Sequence, residues 1–489
     1  MIVTCGQQLT SARGASISRQ PASMNREILR LAVPNILSNI SVPLISSYDT
    51  ILMGGLGGEH IAAVGLGSMA FNFVYWNFGF LRMSTTGLTA QAYGKEDEGG
   101  QLATLLRAGA LALIISVLLL VLQYPLAELT HWLLNLRTGQ VAMVDEYFYI
   151  RLLAAPAALL QMTLLGWFFG RQNAVFPLVL TVIVNLGNMA MSYYFVRQLD
   201  WGIVGVAWGT VAAQYLGLLL GMVLLWLEMR SAKFTSLPWR KSNPAAPNPS
   251  LHPLDEQSEH LHFGKLSGVR PRPEAPSLRD FLAINRDIFI RTVCLTLSFI
   301  FFYNRANALD VGTAVVAANV ILLQLVNWLS YGIDGFAFAA ESLIGKYHGA
   351  GEKPQFKRAV RLIFIWGMGL AGLYALVYGL GNESLLRLFA PENSAPETLT
   401  AAFYYLPITV VFCLLATPCY LLDGIYVGLT AAKAMRETML LAFAGYLLVY
   451  YAVGQHFGNW GLWGSLLLFM MLRAAMQAWW LWRGKVGGI

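Results

Sequence analysis

Four carboxylates, Asp49, Asp334, Glu341 and Asp423, stand inside stretches apolar enough to enter a bilayer. A charge at membrane depth is costly unless it faces protein or water, so such groups usually do chemistry. Asp49 is the clearest case. Along PNILSNISVPLISSYDTILMGGLG, residues 34–57, steps of four and three place Asn35, Asn39, Val42, Ser46, Asp49 and Met53 on one helical face. With Pro34 they form a polar stripe rather than a scatter. A later stretch repeats this spacing with Thr181, Asn185, Asn188 and Ser192. If the two faces meet, the N-terminal half encloses one carboxylate among amides and hydroxyls. Burial penalises the charged form of a carboxylate, so proton uptake near neutral pH is the chemistry such a pocket favours. The same oxygens permit Na⁺ coordination at Asp49. The competing reading is a buried Asp satisfied by neighbouring helices.

The other candidates are charges whose partners lie elsewhere in the chain. Arg82, in FLRMSTTGLTAQA, and Arg305, beside Asn304 and Asn307, either pair with an acid or line a cavity. Asp334 and Glu341 are seven residues apart and share one helical face, Glu341 close to the helix end where a gate or a loop contact would sit. Together with Asp423 these make five cavity or gating candidates. Pro34 and Pro43 each delete a backbone bond and can bend the first long helix. No catalytic residue is expected: no clustered His/Asp pair, nucleophile elbow or phosphate loop is found, which argues against a membrane-bound enzyme. Cys5, Cys294, Cys413 and Cys419 lack a paired metal spacing, and His252, His260 and His262 lie in a polar loop, so no bound metal is expected beyond Na⁺ at Asp49.

The elements that must position these residues are membrane helices. Of 489 residues, 56% are hydrophobic and 12% charged, about half the charge of a soluble domain. Each crossing needs about 20 residues. Apolar runs predict helices near 27–57, 61–93, 103–125, 143–170, 174–198, 202–229, 279–309, 313–346, 358–381, 397–428, 433–455 and 460–483. Loop charge supports that count. Lys95, Arg107, Arg171, the 230–280 segment, Lys346, Lys353, Lys357, Arg358, Lys433 and Arg436 fall on one side, with both termini, whereas Arg137, Arg197 and Arg387 fall on the other. The positive-inside rule then puts both termini in the cytoplasm of a multi-pass protein of the cell (inner or plasma) membrane. The net charge of +7 is explained by those loops and gives no reason to expect a nucleic-acid partner. The expected organisation is a polar tail (1–26), a six-helix bundle (27–230), a Pro-rich cytoplasmic linker (231–277) and a second six-helix bundle (278–489).

The two halves echo each other. QLATLLR (101–107) matches QFKRAVR (355–361), and Gly166 and Gly170 correspond to Gly424 and Gly428. Six helices per half make this a parallel repeat about an axis along the membrane normal. The expected fold is therefore an all-α polytopic protein, about twelve helices in two pseudo-two-fold related bundles around a central cavity. Such an arrangement suits an alternating-access carrier. FLRMSTTGLTAQAYGK, YGIDGFAFAAESLIGKYHGA and CYLLDGIYVGLTAAKAMRETM closely resemble stretches of the DinF branch of the MATE (multidrug and toxic compound extrusion) transporters. The likeness runs from about Asn25 to the last helix. It implies twelve helices in two pseudo-symmetric bundles and export of substrates in exchange for H⁺ or Na⁺; the favoured reading is an antiporter for small organic molecules, cationic or amphipathic, with no cofactor and no nucleic-acid partner. The resemblance also implies that Asp49 is the coupling residue, fifteen residues after Pro34. The family's fifth helix often carries an Asn followed four residues later by an Asp; here these positions are Asn188 and Ser192. With no second carboxylate at that place, H⁺ is preferred over Na⁺. A monomer is expected among membrane lipids, and the alternative activity is a flippase for a lipid-linked precursor.

Overall fold

The computed structural model describes residues 23–54, 67, 71, 75–134, 138–230, 277–308, 312–381, 385–387, 396–484 and 486; within its helices, the side chains of 42–47, 49–51, 53–54, 132–134 and 138–140 are outside the described set. Among the described residues every regular element is helical. The N-terminal lobe contains α1 (Met24–Gly54), α2 (Phe80–Gly94), α3 (Glu98–Val121), α4 (Gln123–Leu134), α5 (Thr138–Leu152), α6 (Ala155–Gly170), α7 (Val175–Arg197) and α8 (Gly202–Arg230). The C-terminal lobe contains α9 (Leu278–Ala308), α10 (Thr313–Gly349), α11 (Lys353–Leu380), α12 (Pro396–Gly428), α13 (Ala432–Ala452) and α14 (Gly458–Trp482).

Eight described helices are long and apolar enough to cross a membrane, and α5 and α6 pass the same test only as a pair, bent by 50° at the break between them. The single helix expected over 143–170 is thus two helices, because Pro156 near the start of α6 has no N–H to continue the ladder from α5. The helix expected from 103 begins earlier, at Glu98, where the Asp97 carboxylate accepts from the Gly100 N–H at 2.9 Å and caps it. Beyond Val121 the chain turns into α4 rather than ending. Much of the expected 61–93 helix, and the 231–276 part of the linker, lie outside the described residues.

The repeat has a packing basis. In the N-terminal lobe Gly166 of α6 lies against α2, where an added Cβ would come 2.9 Å from Thr85 Cβ. In the C-terminal lobe the matching Gly424 of α12 lies against α10, where a Cβ would come 2.9 Å from Ala337 Cα. Close backbone approach through small residues is how helices associate where lipid removes the hydrophobic drive. The same device therefore fixes the same helix pair twice.

The lobes meet along a seam that runs to the end carrying residue 24. Gln91 of α2 donates to the Gly428 carbonyl at 3.0 Å and to Thr430 at 3.1 Å. Gln172 donates to the Ser342 carbonyl at 2.8 Å, and the Tyr347 hydroxyl donates to Glu27 at 2.6 Å. Helix α1 belongs to the first lobe by sequence yet packs along α10 of the second, where Asn39 donates to the Tyr331 carbonyl at 3.2 Å.

Candidate functional site

A cavity of about 260 Å³ opens between α2, α9, α10 and α12. Four of the five expected cavity residues, Arg82, Asp334, Glu341 and Asp423, line it, and on α10 Asp334, Phe338 and Glu341 follow one another at steps of four and three. Arg82 reaches across from α2 and donates to both Glu341 oxygens, at 2.8 and 3.1 Å, in a two-pronged pair. Its guanidinium lies 3.9 Å from the centre of the Phe338 ring, a second attraction available to a planar cation. Glu341 is 2% exposed, so the pair is a buried bond between lobes rather than a surface contact.

Asp423 sits on the α12 wall in a different arrangement. Arg291 of α9 donates to its Oδ2, and Arg473 of α14 donates to the same oxygen at 2.6 Å. Gln477 donates to Oδ1 at 2.8 Å. Two guanidiniums therefore share one carboxylate, and the Nε atoms of both Arg291 and Arg473 have no hydrogen-bond partner among the described residues. Asp334 shows the converse. It is half-buried, lines the cavity, and makes no ion pair or side-chain hydrogen bond among the described residues.

The N-terminal stripe is only partly a single pocket. Asn185 of α7 does reach α1, donating to Ser41 Oγ at 2.6 Å. Asn188 instead donates to Thr210 of α8 at 2.8 Å, and Ser192 is fully buried against Gly209 of α8 with its hydroxyl unpartnered. Helix α7 is wedged between α1 and α8, so successive residues of one stripe are divided between two neighbours. Arg151 of α5 extends the second group, donating to Tyr147 at 2.7 Å and to Thr210 at 3.4 Å. On α1, Asn35 is buried with its Nδ2 unpartnered, and the helix runs unbroken through the half-buried Pro34. Ser46 and Asp49 lie on the same helix, and their side chains are outside the described residues. Arg305 lies away from the cavity, donating to Asn304 at 2.7 Å near the end of α9. Among the described residues no group of three or more His, Cys, Asp or Glu could hold a metal ion.

Sequence reasoning passed over Arg151, Arg291, Arg473 and Gln477. Arg473 carried the signal that flagged Arg82, a lone guanidinium within an apolar span. Arg291 follows Arg286 and Asp287 and resembles the charged end of a helix until α14 is seen behind it.

Two helical lobes, repeated in one chain, meet at a charged cavity, and the chain's family match and relatives make this a membrane transporter rather than an enzyme. The chain matches the MatE family over residues 34–194 and 288–453, well over half its length, and it belongs to that family. It is 32% identical to DNA damage-inducible protein F of Escherichia coli (strain K12), over 93% of this chain and 92% of that protein. It is 24% identical to a protein named probable multidrug resistance protein NorM of Rhizobium meliloti (strain 1021), over 93% and 92% of the two chains. The fold superposes on an outward-facing multidrug resistance MATE family transporter of the MOP superfamily, with a TM-score of 0.77, 19% identity, and 94% and 96% of the two chains covered.

Proposed function

We propose that the chain is a secondary active antiporter that exports organic compounds, cationic or amphipathic, in exchange for H⁺ in preference to Na⁺, by alternating access. The observation that carries this reading is the Arg82–Glu341 pair, which ties the two lobes together at one end of a charged cavity. The Gln91, Gln172 and Tyr347 bonds continue the seam toward the end carrying residue 24. A seam closed at that end and a cavity beyond it are what one of two alternating states requires. The multidrug role named for the Rhizobium relative supports a broad organic substrate range.

We assign coupling to Asp49, with Asn185, which reaches α1, as its neutral partner on α7; Asn188 and Ser192, turned to α8, extend the same stripe behind it. One carboxylate among neutral groups fits H⁺ better than Na⁺. The basic loops support a cytoplasmic linker and cytoplasmic termini in the cell (inner or plasma) membrane. The protein then works as a monomer among lipids, with no cofactor beyond the coupling ion. A lipid-linked-precursor flippase is favoured by Arg291 and Arg473, cationic groups near the cavity. Against it, the Arg82 charge is matched by Glu341.

Reconstituted vesicles with an imposed pH or Na⁺ gradient and a fluorescent organic cation test the assignment. Asp49→Asn is expected to abolish gradient-driven efflux while folding and insertion persist. Full transport by that variant would overturn the role of Asp49, and the gradient that drives the wild type names the ion. Translocation of a fluorescent lipid-linked phosphate, with no cation efflux, would favour the flippase.

A further inference from the structure

The charges around the cavity balance as a set but not locally. Arg82 and Glu341 cancel within their own pair. Arg291 and Arg473 share the single carboxylate of Asp423, leaving one positive charge in excess on the wall formed by α9, α12 and α14. Arg291 lines the cavity, is 7% exposed, and keeps its Nε unpartnered. On α10, Asp334 lines the same cavity with no ion-pair partner among the described residues. Phe299, Phe338 and Tyr420 line the same cavity. The cavity thus presents a guanidinium that shares its counter-charge, a carboxylate outside any ion pair among the described residues, and aromatic rings.

We infer that this cavity is a subsite for a small zwitterion, its anionic group directed to Arg291 and its cationic group to Asp334. The physical reason is net charge. A singly charged ligand leaves the enclosed site with an uncompensated unit of charge, which is expensive in a low-dielectric surrounding. A zwitterion adds none and meets a counter-charge at each end. Its body is small, because 260 Å³ lies just under the usual range for ligand pockets of about 300–1,000 Å³. An aromatic or apolar link suits the rings that line the cavity.

This inference rests on the reading of the chain as a carrier, but its test requires no gradient. The full chain in lipid nanodiscs is titrated calorimetrically with three shape-matched probes. These are 4-[(trimethylammonio)methyl]benzoate, its benzamide as the cation alone, and 4-neopentylbenzoate as the anion alone. The zwitterion is expected to bind about tenfold or more tighter than either. Asp334→Asn, which breaks no ion pair, leaves the site one positive charge in excess, so it is expected to weaken the zwitterion about tenfold or more and to strengthen the neopentylbenzoate. Arg291→Gln is expected to weaken the zwitterion and the anion while sparing the benzamide. An unchanged thermal midpoint of Asp334→Asn keeps that comparison free of folding effects. Equal binding of the three probes, no binding of the zwitterion, or an unaltered zwitterion affinity in Asp334→Asn would overturn the inference. Gradient-driven efflux that persists alongside any of these results would leave the antiporter reading standing.

Discussion

In the N-terminal lobe the described groups around Asn185 and Asn188 are amides and hydroxyls with one guanidinium, Arg151, and the His131–Asp145 and Arg171–Glu228 pairs lie apart from them. In the C-terminal lobe the cavity wall holds Asp334, Glu341 and Asp423 with Arg291, Arg473 and, from across the seam, Arg82. The lobes share a packing scheme, the same small-residue contact at Gly166 and at Gly424, yet the α7 stripe of one is held by neutral hydrogen bonds and the cavity wall of the other by ion pairs. Repetition fixes the backbone, and it leaves the polar contents of each bundle to diverge. Energetic consequences follow from that division. Removing one partner of a buried ion pair costs about 3–5 kcal/mol, whereas interhelical hydrogen bonds between neutral groups in membranes are worth about 0.6–1.7 kcal/mol.

The largest effect is expected at Asp423. Asp423→Asn strips the shared acceptor from Arg291 and Arg473 and leaves two buried guanidiniums without a counter-charge. A loss of about 3–5 kcal/mol is expected, read as a fall in the unfolding midpoint of the purified protein. Asn188→Ala in the other lobe should cost about 1 kcal/mol. Equal losses would erase the contrast between the lobes.

Next comes Glu341→Gln, which tests the seam rather than either lobe. A bond between charged groups contributes about 1.5–3 kcal/mol, enough to shift the balance between states closed and open at the end carrying residue 24 about tenfold or more. Spin labels at the exposed positions Glu96 and Glu352, which flank one pocket at that end, should show a longer distance in the variant. The swapped pair Arg82→Glu with Glu341→Arg should restore the short distance. If Glu341→Gln lowers stability but leaves the distance unaltered, the pair is packing rather than a gate.

How much of this was legible in the sequence follows the same line. Fold class and the repeat were readable, because apolar length, loop charge and glycine spacing are local properties. Arg82, Asp334, Glu341 and Asp423 were readable as cavity candidates because each is a lone charge in an apolar run. Which charge meets which was not. Arg82 and Glu341 are separated by 259 residues, and Arg291 and Asp423 by 132, and a single sequence has no periodicity at that range. The bend at Ala155 was signalled by Pro156 but lost in the continuous apolarity of the run. The division of the Asn185–Ser192 stripe between α1 and α8 was hidden for another reason. Helical spacing tells which residues share a face, whereas α7 has two neighbours that divide it.

The smallest effect is the most discriminating for the N-terminal lobe. Ser192 is fully buried, lies against the Gly209 backbone, and has no hydrogen-bond partner among the described residues. An unpartnered buried hydroxyl bears its desolvation cost without return, about 1–3 kcal/mol in full and less where relaxation helps. Ser192→Ala removes that cost and little volume, so its unfolding midpoint should be unchanged or slightly raised. Asn188→Ala, one turn away, breaks the bond to Thr210 and should lower it. A purely structural stripe would show those two results and normal efflux in both variants. If Ser192→Ala keeps its stability but slows gradient-driven efflux, the hydroxyl is retained for an occupant of the transport cycle, and the N-terminal lobe is the one that handles the ion. If efflux is unaffected, coupling in this lobe falls on Asp49 with Asn185 and Asn188, and the contrast with the charged cavity wall becomes sharper.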